Sequence, residues 1–243
     1  NFDSLLAVYQ GRSMADLREV ASNHDAPAPA IRLSALAVDA RAGDTYFIAL
    51  DGFDGAEMSS SMPGVLRWAP TPSNDRFGDA QVLENLRGSR PADNTGALME
   101  TNEPDHGTQA NAASVWYRWV APQSGRFTFA AASAIAGIPR YVAIYTGSSL
   151  TNLVKLASAD SPLGPNAPPR GTVTIQCTAG QEYRLAIGGV LLGTGGLAVI
   201  GTGPFDLSWA PVPANDEFAR AEGIAGATGT ASGNNTGASS EQG

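Results

Sequence analysis

The sequence predicts an all-β protein made of tandem, jelly-roll-like antiparallel β-sandwich repeats, and three features of the chain lead to this prediction. Motifs recur at a fixed spacing, apolar and polar residues alternate over short runs, and 28 glycines and 16 prolines in 243 residues separate those runs with turns. A helical bundle would not have this composition. The pattern therefore favours short strands joined by tight connections.

The repeat is visible in three pairs of motifs, each separated by 141 positions (215 minus 74). Asn74-Asp75-Arg76-Phe77 returns as Asn215-Asp216-Glu217-Phe218, Asn94-Thr95-Gly96-Ala97 as Asn235-Thr236-Gly237-Ala238, and Trp68-Ala69-Pro70 as Trp209-Ala210-Pro211. We therefore expect the C-terminal part of one repeat at 1–72, a complete repeat at 73–214 and the N-terminal part of a further repeat at 215–243.

The first segment matches the second half of the complete repeat. Leu5 to Gly11 matches Tyr141 to Gly147 at an offset of 136, and Ala42 to Ala49 matches Ala179 to Ala186 at an offset of 137. The last segment matches the opening of the unit. Neither segment supplies a counterpart of 102–136, which contains Ser114-Val115-Trp116-Tyr117-Arg118-Trp119.

Alternation and turn residues place the strands of the complete repeat. In Gly171 to Thr178 the odd positions are apolar and the even positions polar, so one face is expected to meet a core and the other to meet water. About eight strands in such a unit fit a two-sheet sandwich. The expected strands lie near 95–100, 114–121, 125–132, 140–146, 153–158, 171–178, 181–188 and 203–209.

Composition excludes several classes of partner. The net charge is −8 and Lys155 is the only lysine, so the clustered cations that bind nucleic acid or an anionic membrane are missing. No run of 18 apolar residues exists, so membrane insertion is not expected. The single cysteine, Cys177, cannot form an internal disulfide and falls on the apolar face of its strand, as a core residue would.

Several of these motifs resemble the bacterial pre-peptidase C-terminal domain family. The resemblance rests on Asn-Asp-x-Phe, on Glu103-Pro104-Asp105-His106, on Ser114 to Pro122, and on the Ala-x-Tyr-x-Gly strand and the Ala-Gly-x-x-Tyr hairpin. It implies secreted β-sandwiches, often in tandem, attached to extracellular hydrolases or to large surface proteins. It also implies calcium binding in some members and assistance to substrate or matrix binding in others.

Two groups are candidate sites. Glu103 and Asp105 lie in an oxygen-rich loop that could hold calcium, and the alternative is a solvated loop without metal. Tyr117 and Trp119 lie on one strand face, where they could form a platform for a sugar or a peptide; the alternative is a core position. Trp68 and Trp209 precede Pro-rich segments and are expected at an interdomain joint.

Catalysis is not expected. The only imidazoles are His24 and His106, which occupy different parts of the repeat, and no nucleophile elbow or metalloprotease helix is present. Asn23-His24-Asp25 is interpreted as a polar turn. The Gly193 to Ala198 segment loosely fits a dinucleotide fingerprint, but the sequence after it does not indicate a helix, so it is interpreted as a loop.

The sequence therefore predicts a non-enzymatic, extracellular or cell-surface protein that serves as a structural or adhesive repeat segment of a bacterial surface fibre or giant adhesin. The alternative is a substrate-targeting accessory module of a secreted hydrolase. Expected partners are other copies of the chain, adjacent repeats, or a surface glycan or protein.

Assembly is expected to follow from the incomplete units at both ends. The tail, with Phe218 and Ile224 as anchors, could add a strand to the incomplete first domain of the next copy. The apolar residues of that domain expected to face water are Leu5, Val8, Leu36, Val38, Tyr46 and Ile48. A longer continuous polypeptide explains the same pattern, and both explanations stay open at this point.

Overall fold

The computed structural model describes residues 4–24, 34–52, 66–107, 111–135, 138–161, 170–192 and 199–239. Within these ranges the chain forms β-strands and three single 3₁₀ turns, which confirms the all-β prediction. The strands are β1 (Ser4–Gln10), β2 (Arg18–Asn23), β3 (Phe47–Gly52), β4 (Gln81–Leu83), β5 (Gly88–Asp93), β6 (Asn111–Val120), β7 (Gly125–Ser133), β8 (Arg140–Thr146), β9 (Val154–Asp160), β10 (Arg170–Cys177), β11 (Glu182–Leu192), β12 (Val199–Ile200) and β13 (Pro204–Pro211).

Strands β4 to β13 form a two-sheet sandwich, called here the complete sandwich. One sheet has the order β10-β7-β13-β5, and the other has the order β4-β6-β11-β8-β9 with β12 paired to β11. Pairing is antiparallel except between β4 and β6. Aromatic and aliphatic side chains from the facing sides of the two sheets fill the core, among them Trp119, Phe127, Phe129, Leu185 and Leu207. Burying each of the larger side chains contributes about 1.5–3 kcal/mol.

The predicted strand at 95–100 is wrong, and the true strand, β5, lies just before it. Residues 94–97 form a turn in which the Ala97 N–H donates to the Asn94 carbonyl and Gly96 has a φ of +79°. Strand β5 contains Pro91, which is tolerated because β5 is the outermost strand of its sheet. The other predicted strands overlap β6 to β11 and β13.

A second, smaller core covers the outer face of the larger sheet. Trp116, Tyr141 and Tyr145 point away from the sandwich interior and pack with Phe77, which lies in a 3₁₀ turn at Phe77–Asp79. The rings of Phe77 and Trp116 meet edge to face with centroids 5.1 Å apart. Strand β6 is therefore covered on both faces around Trp116, whereas Arg118 and Val120 near its end are exposed.

Strands β1, β2 and β3 form a separate three-stranded sheet with the order β2-β1-β3, called here the head sheet. Its pairing repeats that of β9, β8 and β11. Leu6 pairs with Asn23 as Val142 pairs with Ala159, and the register shifts between Val8 and Tyr9 as it does between Ile144 and Tyr145, 136 positions later. Ala7 pairs with Ala49 as Ala143 pairs with Ala186. The irregularity itself thus recurs.

The tail, residues 215–239, repeats the local geometry of the opening of the complete sandwich. The Ser239 N–H donates to Asp216, and the Leu98 N–H donates to Asp75 in the same way; donor and acceptor are each shifted by 141 positions between the two bonds. A 3₁₀ turn at Phe218–Arg220 matches Phe77–Asp79. The same short-range bonds therefore form at both places, although the tail is far more exposed.

Candidate functional site

The loop that contains Glu103 and His106 is folded into the second core. The side chain of Glu103 accepts hydrogen bonds from the Ser114 hydroxyl and, through its second oxygen, from the Glu100 N–H at 2.7 Å. His106 Nε2 lies 2.7 Å from Glu103 Oε1, and His106 Nδ1 lies 2.7 Å from the Tyr145 hydroxyl. Glu103, Ser114, His106 and Tyr145 thus form one hydrogen-bonded cluster, called here the His106 cluster.

Solvent does not reach the His106 cluster. The side chains of His106 and Glu103 are fully buried, and the imidazole stacks on Tyr141 with centroids 5.2 Å apart. Burial, together with the carboxylates of Glu103 and Asp105, raises the pKa of Tyr145. Burial likewise raises the pKa of Tyr141 well above its ordinary value. Both phenols therefore stay protonated, and a substrate has no access to the acid and base groups beside them.

The predicted calcium ligands Glu103 and Asp105 lie in different environments. Glu103 is committed to the His106 cluster, whereas Asp105 is exposed and its backbone carbonyl accepts a bond of 2.8 Å from the Lys155 ammonium. Across the part of the chain that the structure describes, no group of three or more His, Cys, Asp and Glu side chains is arranged to hold a metal ion. The alternative of a solvated loop holds for Asp105 but not for Glu103 and His106, whose side chains are fully buried. Calcium binding stays a prediction.

The predicted ligand platform of Tyr117 and Trp119 is wrong, because both side chains are buried in the sandwich core. The Trp119 indole N–H donates to the Asn85 carbonyl at 3.1 Å, and its ring meets Phe127 edge to face at 4.8 Å. The sequence showed that one face of β6 had to be core. It did not show that the Phe77 turn and His106 cover the opposite face around Trp116, whereas Arg118 and Val120, nearer the end of the strand, stay exposed.

A buried guanidinium, that of Arg140, organises one end of the sandwich, and sequence reasoning missed it. Arg140 donates from Nη1 to Asn94 Oδ1 at 2.7 Å and to the Gly201 carbonyl at 2.9 Å, and from Nη2 to the Gly203 carbonyl at 2.9 Å. Burial lowers its pKa to about 10. Its partners are mostly backbone carbonyls, which no sequence motif reveals. The arrangement fixes the loop before β13, and the buried Nε of Arg140 has no hydrogen-bond partner among the described residues.

The remaining single-residue predictions divide. Cys177 is buried, as predicted, and burial raises the pKa of its thiol to about 11. Trp209 packs in the sandwich core and does not lie at an interdomain joint. Its ring fills the space beside Gly88, where an added Cβ would come within 2.3 Å of the Trp209 Cζ2 atom. Trp68 is exposed. Asp25 and the segment 193–198 lie outside the described residues.

The predicted assembly residues separate into two groups. Phe218 and Ile224 are 86% and 84% exposed, whereas their counterparts 141 positions earlier, Phe77 and Leu83, are 7% and 3% exposed. In the head sheet the outcome for two residues is the reverse of the prediction: Val8 is buried and Leu5 half-buried. The exposed apolar residues of that sheet lie mainly on β3, among them Ile48, and the match of Ala42 to Ala49 with Ala179 to Ala186 already indicates that this segment is the counterpart of β11.

The tail touches the complete sandwich of its own chain. The Thr128 hydroxyl donates to the Gly237 carbonyl at 2.9 Å, and Arg126 forms an ion pair of 2.6 Å with Glu217. Gly237 lies against Pro211 and Ala210, as Gly96 lies against Pro70 and Ala69. The connection between a unit and the next opening segment thus has the same close backbone approach at both places.

Comparison with solved structures found several similar chains, of which two follow. The pre-peptidase C-terminal domain of a collagenase from Bacillus anthracis is 13% identical, with 59% of this chain and 99% of that domain covered at a TM-score of 0.32. CorA, a surface-associated copper-binding protein from Methylomicrobium album BG8, is 6% identical, with 54% of this chain and 97% of that chain covered at a TM-score of 0.36. At these TM-scores neither likeness assigns a function. No protein-family model and no curated protein matches the chain.

The first of those structures belongs to the class that the sequence motifs resemble, a pre-peptidase C-terminal domain. None of the helical segments within the described ranges has the length and hydropathy of a membrane span.

Proposed function

We propose that this chain is a non-catalytic, structural or adhesive segment of an extracellular bacterial surface protein in which β-sandwich units of one kind follow one another. The observation that carries the proposal is the recurrence of backbone pairing. The head sheet repeats the register and bulge of β8, β9 and β11, and the tail repeats the opening turns of the complete sandwich. Repeated units add length and repeated surface to a protein rather than a single reaction centre.

The condition of the titratable groups supports a non-catalytic role. A base that acts on a substrate must come within hydrogen-bond distance of it. In the part of the chain that the structure describes, His106 and Ser114 are both hydrogen-bonded to Glu103 in the core. The other imidazole, His24, is exposed and lies near the head sheet in sequence, more than 75 positions before Glu103. The cluster stabilises the loop before β6 and has no access for a substrate.

Other copies of the chain are the proposed partners, with head-to-tail contact through the exposed tail. Burial of Phe218 and Ile224 on another copy would restore the environment that Phe77 and Leu83 have in the complete sandwich. A surface glycan or protein as a further partner, and calcium as a further ligand, belong to the same proposal. They rest on the sequence resemblance only.

Sedimentation and electron microscopy of the purified chain test the proposal. We expect elongated multimers whose length and yield fall when residues 215–243 are deleted, or when Phe218→Asp and Ile224→Asp are combined. Met14→Asp, at an exposed position outside the tail, is the control and should leave assembly unchanged. Equal assembly by the full and truncated chains would contradict tail donation. A monomeric chain that instead binds an insoluble polysaccharide or collagen would favour the accessory module of a hydrolase.

A further inference from the structure

We propose that the outer edge of β3 is an acceptor site for one extended strand with the chemistry of β6, bound antiparallel, with a tryptophan in the position of Trp116 opposite Ala49. This inference goes beyond the proposed function, because it names the edge, the register and the kind of strand. It also holds for a chain that forms no array.

The first step is the equivalence of strand pairing in the head sheet and in the larger sheet of the complete sandwich. Strand β11 pairs with β8 in the register that β3 makes with β1: Leu185 lies opposite Ile144 as Ile48 lies opposite Val8. Each residue of β3 precedes its counterpart on β11 by 137 positions, and each residue of β1 precedes its counterpart on β8 by 136 positions. Every position of β3 therefore has a defined counterpart on β11, and the surroundings of β11 show what β3 is shaped to meet.

The second step is the state of the far edge. In the complete sandwich β6 pairs with the far edge of β11, with Trp116 opposite Ala186 and Tyr117 opposite Leu185. Among the described residues no strand pairs with the corresponding edge of β3, which ends its sheet. An unpaired edge presents backbone N–H and carbonyl groups in the spacing that an added strand satisfies.

The third step is the local exposure of apolar side chains. Ile48 and Leu50 are 49% and 44% exposed, whereas their counterparts Leu185 and Ile187 are fully buried. On β1, one strand inward, Val8 is buried. Exposed apolar side chains therefore lie on the two outer strands of the head sheet, and β3 has most of them, since Phe47 is also 44% exposed while β2 has only Val20, at 41%.

The chemistry of the ligand strand follows from the counterpart register. We transfer the pairing of β6 with β11 to β3, whose positions are 137 lower than those of β11. A bound strand would then place the residue equivalent to Val115 opposite Leu50, that of Trp116 opposite Ala49 and that of Tyr117 opposite Ile48. A strand that alternates aliphatic or aromatic residues toward the sandwich interior with a tryptophan on the other face would bury Ile48 and Leu50. The tail does not contain such a strand, since its described residues correspond to 74–98 and not to β6.

A labelled synthetic peptide with the sequence Asn111–Val120 tests the site on the full 243-residue chain. We expect the peptide to slow amide hydrogen exchange over Phe47–Gly52 and to leave exchange over β2 unchanged, because β2 corresponds to the outermost strand β9. The peptide Gly125–Ser133, which comes from the other sheet of the sandwich, is the matched control and should give no protection. Ile48→Asp should weaken binding at least about tenfold, and Val20→Asp on β2 should not.

Three results would overturn the proposal: no protection of β3, equal protection by the two peptides, or a dimer of the chain in which β3 is already protected without peptide. The last result would assign the edge to a second copy of β3. None of these results depends on whether the chain assembles through its tail, so this test and the assembly test fail separately.

Discussion

The head sheet and the β8, β9 and β11 part of the complete sandwich have the same pairing but different burial. Both have the same strand order, the same register and the same bulge in the central strand. Leu185 is fully buried, whereas Ile48 at the equivalent position is half-exposed. The comparison teaches that local alternation and turn geometry are sufficient to define the pairing of three strands, while core burial of β11 depends on β6 and on the opposite sheet.

The largest expected difference between the two regions is in the cost of removing equivalent side chains. Leu185→Ala should lower the free energy of unfolding of the complete sandwich by about 2–5 kcal/mol, because it leaves a cavity in a fully packed core. Ile48→Ala should cost less than about 1 kcal/mol, because half of that side chain already meets water. Urea unfolding of both variants measures the difference. Equal costs would show that β3 is covered in solution.

A smaller loss is expected from the His106 cluster, which has no equivalent in the described head sheet. Glu103→Gln should destabilise the complete sandwich by about 1–3 kcal/mol, because the acceptors for Ser114, His106 and the Glu100 N–H are weakened or lost. Asp105→Asn, two residues away and exposed, should change stability by less than about 0.5 kcal/mol. Thermal unfolding compares the pair. If Asp105→Asn were the more harmful change, the cluster would not be the anchor of this loop.

An alkaline loss of stability should follow from the tyrosine of the same cluster. The pKa of Tyr145 is raised in the folded chain above its ordinary value of 10, so its contribution is complete below pH 10 and is lost as the pH rises toward the folded pKa. One such proton gives a slope of about 1.4 kcal/mol per pH unit. Tyr145→Phe should reduce the slope. Burial lowers the pKa of Arg140 to about 10 in the folded chain, so the contribution of Arg140 to the free energy of unfolding increases as the pH rises above 10, opposite to that of Tyr145. An unchanged slope in Tyr145→Phe would be the contrary result.

Calcium should have the smallest effect. Among the described residues no group of three or more His, Cys, Asp and Glu side chains is arranged to hold a metal, so calcium near Asp105 would be held weakly and millimolar calcium should change the melting temperature by less than about 1 °C from its value in chelator. Melting in both conditions, with Asp105→Asn alongside, measures this. A rise that Asp105→Asn removes would restore the sequence-based expectation of a calcium site.

The sequence was sufficient for much of the sandwich, and the exceptions have physical causes. Strand β10 was predicted because its alternation is regular and it lies with one face on the core. Strand β5 was missed because Gly88 and Pro91 are unfavourable in strands, yet Gly88 makes room for Trp209 and Pro91 is tolerated at an edge. Both exceptions depend on distant parts of the chain.

The candidate sites were less predictable than the fold. A polar Glu-Pro-Asp-His segment predicts a solvated or metal-binding loop, and only the three-dimensional structure places Tyr145 and Ser114 beside it. Tyr117 was misplaced because alternation indicates which residues share a face but not whether both faces are covered. Of the residues expected on the acceptor surface, Ile48 on β3 is exposed, whereas Val8 is buried and Leu5 half-buried because they lie on the central strand β1.

Amide hydrogen exchange of the unmodified chain tests most directly the central claim that β3 and β11 share a register but differ in their outer neighbour. The account predicts that a set of amides in Phe47–Gly52 exchanges orders of magnitude faster than the equivalent amides of β11, while the remaining amides of β3, bonded to β1, stay protected. Uniform protection along β3, equal to that of β11, would contradict it.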